Sequence, residues 1–353
     1  MRSIPPSAGP VPEARDPVLS IRDLTVEFDT EDGVVHAVTA ASFELLPGEV
    51  LSIVGESGSG KSVSMLAVLG LIPVPPGRMV AGEALFRGED LLKMPPDRLR
   101  EIRGGPMAMI FQDPMTSLNP VLTIGDQVSE AIEAHQPGVG RNAAWKRTIE
   151  LLDLVGVPVP QRRARQFPHE LSGGMRQRAM IAMAIANDPT VLVADEPTTA
   201  LDVTIQAQII EVLETARRET GAAIVLITHD LGLVAELADR VVVMYAGRVV
   251  EHGDVFSIFA TPRHPYTVGL LESLPRLATD AGELQPIVGQ PPSMITLPPG
   301  CAFHPRCALS RGRAVCSTDV PELRAVGDDT GRRSACHFAE ELSASNASGR
   351  SIP

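Results

Sequence analysis

The sequence predicts an α/β protein. Its mainly parallel core sheet carries a phosphate-binding loop, an antiparallel sheet comes before it, and a helical insert interrupts it. Three observations carry this reading. Gly55-Glu56-Ser57-Gly58-Ser59-Gly60-Lys61-Ser62 fits G-x-x-x-x-G-K-S/T and lies between an apolar β-prone run, Glu49 to Val54, and a helix-forming run, Val63 to Leu71. Val191 to Ala194 and Ala222 to Thr228 are continuous apolar runs, as buried parallel strands are. Val18 to Phe28 and Val34 to Leu46 instead alternate apolar and polar residues, as half-exposed strands do.

Bulk properties exclude several classes. The 353 residues suffice for one large domain and a smaller one. Asp plus Glu outnumber Lys plus Arg by 43 to 31, a formal charge of −12. That argues against nucleic acid as a partner and against a polybasic membrane anchor. No apolar run approaches the roughly 18 residues of a membrane span. Met1 to Pro17 is proline-rich and lacks the apolar core of a secretory signal. A membrane role would require other subunits to cross the bilayer.

Taken in order, residues 1–16 read as a disordered tail. The two alternating strands flank Asp29 to Gly33, a hairpin turn. Phe28, near the end of the first strand, is equally suited to stack on an adenine ring or to pack at the sheet edge. In the glycine loop, backbone N–H groups can close around a phosphate chain where a Cβ would obstruct. The helix start behind it adds unpaired donors and the positive end of its dipole. Lys61 is expected to reach the β- and γ-phosphates of ATP, and Ser62 to ligate Mg²⁺. Four residues, Pro73, Pro75, Pro76 and Gly77, make Leu71 to Gly82 a loop, with short strands at Glu83 to Gly88 and Met107 to Phe111 and a short helix at Pro95 to Arg103. Gln112 follows directly; a neutral amide there can ligate Mg²⁺ and orient a water. Ile124 to Leu154 is largely helical with a break near Pro137 to Gly140, and Pro158 to Arg165 is an arginine-rich turn.

The second half repeats the strand-then-polar-residue theme. Leu171 to Arg178 opens a helix running to about Asn187 with Ser172 as N-cap. Ser172, Gly173 and Gly174 at its start expose N–H donors and read as a second phosphate site. Asp195 ends an apolar strand where it can hold Mg²⁺, and Glu196 points elsewhere and can polarise an attacking water. Thr199 to Asp202 is a turn. Thr204 to Glu219 is an amphipathic helix ended by Gly221. His229 follows a further buried strand and is placed to contact the γ-phosphate. Leu231 to Ala238 is helical, and Val241 to Tyr245 and Arg248 to Glu251 form a hairpin around Ala246-Gly247.

In this order Phe28, Gly55–Ser62, Gln112, Leu171–Gln177, Asp195-Glu196, Ala200-Leu201-Asp202 and His229 resemble the motifs of ABC transporter ATPase subunits over about Pro17 to Phe259. The resemblance makes them the adenine-stacking aromatic, Walker A, Q-loop, signature, Walker B with catalytic glutamate, D-loop and switch histidine. Two departures stand out: Met175 follows the signature glycines where Gln is usual, and Thr199 replaces the usual D-loop Ser. Thr261 to Thr267, with its His264-Pro265-Tyr266, is similar to the C-terminal extension of dipeptide and oligopeptide importer ATPases, as are Leu270-Leu271, Leu274-Pro275, Gln112 to Pro114 and Ser117 to Pro120.

The resemblance implies an ABC nucleotide-binding domain at 17–260 with a helical insert at about 113–175. A loop-rich extension would follow at 261–340 and a disordered tail at 341–353. It implies ATP hydrolysis powering import of di- or oligopeptides, with nickel, glutathione or an exporter's cargo as alternatives and a regulatory nucleotide-binding protein as the alternative of another class. ATP on one subunit would be completed by Ser172–Gly174 of another, with Asp202 nearby. The implied partners are two transmembrane permease subunits, a second ABC ATPase (a paralogue ahead of a second copy) and an extracytoplasmic solute-binding protein. The implied place is peripheral, at the cytoplasmic face of the membrane.

The four cysteines, Cys301, Cys307, Cys316 and Cys336, all fall in one short segment. A chain with a cytosolic ATPase core is not expected to carry stable disulfides, so the cluster reads as a metal centre. Structural zinc usually shows a C-x2–4-C pair, and none is present. The resemblance favours an iron–sulfur module of the 4Fe-4S type, with Zn²⁺ second and four free thiols third.

Overall fold

The computed structural model describes residues 16–199, 202–273, 287–327 and 331–342. The expected tails and Leu274-Pro275 lie outside these residues, apart from Asp16, Glu341 and Leu342; so do Ala200 and Leu201 of the expected D-loop. The chain opens with β1 (Leu19–Thr30) and β2 (Gly33–Leu45), then β3 (Val50–Val54), α1 (Lys61–Val68), β4 (Gly77–Phe86), β5 (Glu89–Asp90), α2 (Pro96–Ile102) and β6 (Met107–Ile110). Five helices follow: α3 (Pro114–Ser117), α4 (Ile124–His135), α5 (Arg141–Leu154) and α6 (Pro160–Arg163) in the span read as the insert, then α7 (Gly173–Ala184). Next come β7 (Val191–Asp195), α8 (Val203–Thr220), β8 (Ala223–Thr228), α9 (Leu231–Leu237), β9 (Arg240–Tyr245) and β10 (Arg248–Asp254). The C-terminal part has α10 (Val255–Ala260), α11 (Pro265–Glu272), α12 (Val315–Thr318), β11 (Arg324–Ala325) and β12 (Arg333–Ser334).

These strands form two sheets among the described residues. The antiparallel one runs β2-β1-β4-β5, and the larger one runs β11-β12-β10-β9-β3-β8-β7-β6. In the larger sheet β9, β3, β8, β7 and β6 are parallel. Every residue of β3, β7 and β8 is buried, which is why they carry no polar alternation. One apolar cluster fills the space between the sheets, with Leu24, Val26, Leu51, Ile53 and Val193 at its centre. A second joins the opposite face of the parallel sheet to the insert through Val128, Leu152, Ile181 and Ile209. Each fully buried side chain of this size contributes about 1.5–3 kcal/mol of transfer free energy.

One expected loop is partly strand. Leu71 to Gly82 breaks only as far as Pro76; from Gly77 the chain is β4, paired with β1 through Phe28↔Gly77 and Val26↔Met79. The strand's outward residues are polar or exposed, and prolines crowd its start, so the apolar alternation is weak. Gly82 sits at φ +111 where β1 shifts register, and a Cβ there would stand 2.6 Å from the Leu24 backbone. The bulge therefore demands glycine, and the residue at the end of the expected loop is a sheet feature.

The C-terminal part continues the larger sheet. β12 pairs with β10 through Glu251↔Ser334 and His252↔Arg333. Beside this seam, fully buried Glu251 accepts from Arg332 at 3.1 Å and from the Arg263 backbone at 2.7 Å. Tyr245, Tyr266 and Phe303 form an aromatic knot with centroids 4.6–5.4 Å apart. His264 is buried at the start of α11, where its Nδ1 accepts from the Tyr266 N–H at 3.1 Å.

Burial pushes His264 down to about 3, against a hydrogen bond with the Ala335 backbone. The folded chain thus holds His264 neutral where an unfolded chain, near 6.5, takes up a proton. This contribution is complete above pH 6.5 and is lost progressively as pH falls toward 3. Melting temperatures measured between pH 7.5 and 4.5 should fall less steeply in His264→Asn, which keeps an N-cap acceptor, than in the parent. Equal slopes would remove His264 as a source of the acid sensitivity.

Candidate active site

Parallel register builds the site. Val54 pairs with Thr228, Asp195 with Ile227 and Ile110 with Ala194, so four parallel strands end at one edge of the sheet. The chain leaving them begins at Gly55, Phe111, Glu196 and His229. Ligand sites of open α/β sheets form outside such carboxyl ends.

After β3, Gly55, Gly58 and Gly60 take φ values of +154, +77 and +99. At Gly60 a Cβ would stand 2.5 Å from the Ala37 carbonyl oxygen, and at Gly55 2.2 Å from that of Met244. The loop is tied down by Ser59 N–H to Glu56 O and by Gly247 N–H to Ser59 O. Helix α1 starts at Lys61 with Gly60 at its N-cap and no side-chain cap. Lys61 is 5% exposed, and its Nζ donates to the carbonyls of Gly55 at 2.8 Å and Glu56 at 2.9 Å. Desolvation lowers its pKa, while Glu196, Asp195 and Glu56 pull the other way.

Asp195 and Glu196 turn to different partners. Buried Asp195 accepts from Ser62 Oγ at 2.8 Å; burial raises its pKa against that bond, and Glu196 raises it further. Glu196 has φ +45, a strained value for a non-glycine residue. One of its oxygens accepts from Gln112 Nε2 at 2.8 Å and from Thr199 Oγ1 at 2.7 Å; the other lies 3.4 Å from His229 Nδ1. Gln112, Glu196 and His229 are thus brought together. Thr199 was legible only as a departure from a motif; the missed signal was a hydroxyl three residues beyond the carboxylate, in a turn closed by Thr199 N–H to Glu196 O.

Other candidates make their hydrogen bonds and contacts elsewhere. Ser172 caps α7 by accepting from the Met175 N–H at 3.4 Å, and Asp202 caps α8 by accepting from the Ile205 N–H at 3.0 Å. Gly174 has a packing duty beyond the one read from sequence: a Cβ there would stand 2.9 Å from Ile205 Cγ2, where α7 meets α8. Phe28 is half-buried in β1 opposite Gly77 and packs against the cluster between the sheets.

The metal centre expected at the cysteines is corrected. Cys301, Cys307, Cys316 and Cys336 line one small cavity together with His264, His304 and His337. All four are free, yet among the described residues no group of three or more His, Cys, Asp or Glu is arranged to hold a metal ion. Burial raises every thiol, Cys301 to about 11 and Cys336 to about 12. Neither 4Fe-4S nor Zn²⁺ is supported. Cys301 and Cys307 instead pack against the apolar cluster around Tyr266 and Phe303.

The loop after β3 does fit a magnesium nucleotide. Ser59 Oγ is buried without a partner, Lys61 brings a cation, α1 offers an uncapped start, and Ser62 with Asp195 makes a hard oxygen pair. Comparison with known proteins agrees. Residues 38–199 match the family model "ABC transporter", and residues 250–316 match "Oligopeptide/dipeptide transporter, C-terminal region". The dipeptide transport ATP-binding protein DppD of Bacillus subtilis is 52% identical over 290 residues, 82% of this chain and 86% of that protein.

The chain belongs to the ABC transporter family.

A putative peptide import ATP-binding protein of Brucella ovis is 48% identical to this ABC protein over 94% of the chain and all of its own length. The oligopeptide transport ATP-binding protein OppD of Mycobacterium bovis is 53% identical over 94% of the chain. This chain spans 53% of that OppD, about half its length. A solved dimer of an ATP-binding cassette, in a post-hydrolysis state with ADP and Pi, superposes with a TM-score of 0.61 and 27% identity, over 67% of this chain and 98% of its own. Among the described residues of this ABC protein, no helix is long and apolar enough to cross a membrane.

Gly60→Ala should abolish nucleotide binding, because the new methyl meets the Ala37 carbonyl and φ +99 excludes it. It should also lower stability by about 1–3 kcal/mol. Equilibrium dialysis with ATP and urea unfolding check the two effects; unaltered binding would show that the loop tolerates a Cβ.

Proposed function

We propose that this chain hydrolyses ATP to drive the import of di- or oligopeptides through partner membrane subunits. The observation that carries this reading is the convergence of Lys61, the Ser62–Asp195 pair and the Gln112–Glu196–His229 network at one sheet edge. The peptide cargo is supported by the match of residues 250–316 to the oligopeptide/dipeptide transporter C-terminal region and by the names of the relatives.

In this reading the glycine loop from Gly55 to Ser62, Glu56, Ser57, Gly58 and Ser59 included, wraps the phosphates, its remaining N–H groups donating while those of Glu56 and Ser59 stay on Tyr266 and on the Glu56 carbonyl. Lys61 then exchanges its carbonyl contacts for phosphate oxygens. Ser62, Asp195 and Gln112 would hold Mg²⁺, which when bound neutralises charge on the phosphate oxygens. Glu196 accepts the proton of the attacking water, held in aim by Gln112 and Thr199. His229 steadies the γ-phosphate, and Phe28 stacks on the adenine. Ser172, Gly173 and Gly174, with Asp202, complete the site of a second ATPase, a paralogue ahead of a second copy. That pairing accords with a phosphate site that sits on a different helix from α1. Residues 17–260 form the cassette and 261–340 the extension in this scheme. Two permease subunits and an extracytoplasmic solute-binding protein complete the assembly at the cytoplasmic face of the membrane.

Glu196→Gln should keep ATP binding and lower turnover by roughly 10²–10⁴-fold. Phosphate release by the purified assembly measures this, with a filter-binding assay for ATP beside it. Hydrolysis at the parental rate would reject the role given to Glu196.

A further inference from the structure

The C-terminal extension grips the phosphate loop at one residue, Glu56. The Glu56 N–H donates to Tyr266 Oη at 2.7 Å. Its carbonyl accepts from Lys61 Nζ. Its carboxylate meets Arg306 in a two-pronged pair: Nη1 to Oε2 at 2.7 Å and Nη2 to Oε1 at 2.9 Å. Such forked pairs fix both distance and plane. Arg306 itself is locked. Its side chain is 5% exposed, Nη1 also reaches Tyr245 Oη at 3.3 Å, and Nε donates to the Val288 carbonyl at 3.2 Å. The guanidinium lies 5.8 Å from the centroids of both Tyr245 and Phe303.

We propose that Arg306 is a positioning residue for the nucleotide: it holds the Glu56 carboxylate and neutralises it, so that the loop presents a net attractive field to a triphosphate. The inference rests on the ATP-binding reading of that loop. The electrostatic argument is direct. Glu56 acts on Lys61 as an attracting charge, so an unpaired carboxylate there would tie Lys61 to the loop and repel phosphate oxygens. The Tyr266 bond to the Glu56 N–H also holds the Gly55–Glu56 peptide, whose Gly55 carbonyl accepts from Lys61. The extension therefore contributes to nucleotide affinity from a position more than two hundred residues along the chain.

Steady-state hydrolysis by the assembled complex, with its ATP KM and kcat, tests this. Arg306→Ala should raise KM for ATP about tenfold while kcat changes far less, since the residue touches binding and not the transferred group. Arg306→Lys keeps the charge without the fork and should fall between the two. Replacing the carboxylate as well, in Glu56→Gln/Arg306→Ala, should recover most of the lost affinity because the unpaired charge is gone. A melting temperature for each variant separates loss of fold from loss of field. If the double variant is as impaired as Arg306→Ala, or if Arg306→Ala binds ATP like the parent, the inference fails alone. A parent complex that neither binds nor hydrolyses ATP rejects both the inference and the reading beneath it.

Discussion

Lys61 is a buried ammonium, and the structure around it is arranged to keep that charge. Desolvation disfavours a cation in such a place, and an isolated one would lose its proton. Here two carbonyl oxygens accept from it while three carboxylates, those of Glu196, Asp195 and Glu56, supply the opposing field. Those groups arrive from the ends of β3 and β7. Only a parallel register that finishes both strands at one edge brings them within range of a single ammonium. The glycine conformations, the apolar strands and the strained Glu196 all serve that convergence.

Much of this was legible because each strand carries its own punctuation. A buried parallel strand is an apolar run of about five residues, and Val191 to Ala194 can be read as one without knowing its neighbours. The polar residue that ends such a run sits at the strand's carboxyl end by construction, so Asp195, Gln112 and His229 were recognisable as candidates. The end of α8 at Gly221 and the break between α4 and α5 follow from glycine and proline in the same local way. What stayed hidden depends on partners distant in sequence. The Thr199–Glu196 bond, the requirement for Gly174 opposite Ile205, and the first half of β4 are set by what faces them. No periodicity within the segment encodes that.

The cysteines show the same limit in sharper form. Four thiols within 36 positions imply a common ligand only if the fold arranges their sulfurs around one point. Number and compartment were read from the sequence, but arrangement in space is a property of the fold. Among the described residues no such group is arranged to hold a metal ion, and Cys301 and Cys307 pack against apolar side chains. Its cohesion has another origin: the aromatic knot of Tyr245, Tyr266 and Phe303, the β12 addition to β10, and the buried Glu251–Arg332 pair beside that seam. A buried ion pair of this kind adds little net stability but penalises any arrangement that leaves either charge alone. It therefore selects one docking of the extension on the sheet.

That single docking has a mechanical consequence. β10 is reached from β3 through β9, so the seam with β12 and the phosphate loop belong to one sheet. The Tyr245 side chain, at the end of β9, touches Arg306. A shift of the extension along the sheet would move Arg306 and Tyr266 together, and both hold Glu56, one by its carboxylate and one by its N–H. Side chains this tightly packed do not yield independently. The extension and the loop must then be in register with each other or both out of it. Nucleotide, by fixing the loop, would fix the extension, and by linkage an extension held in place would favour nucleotide to the same degree.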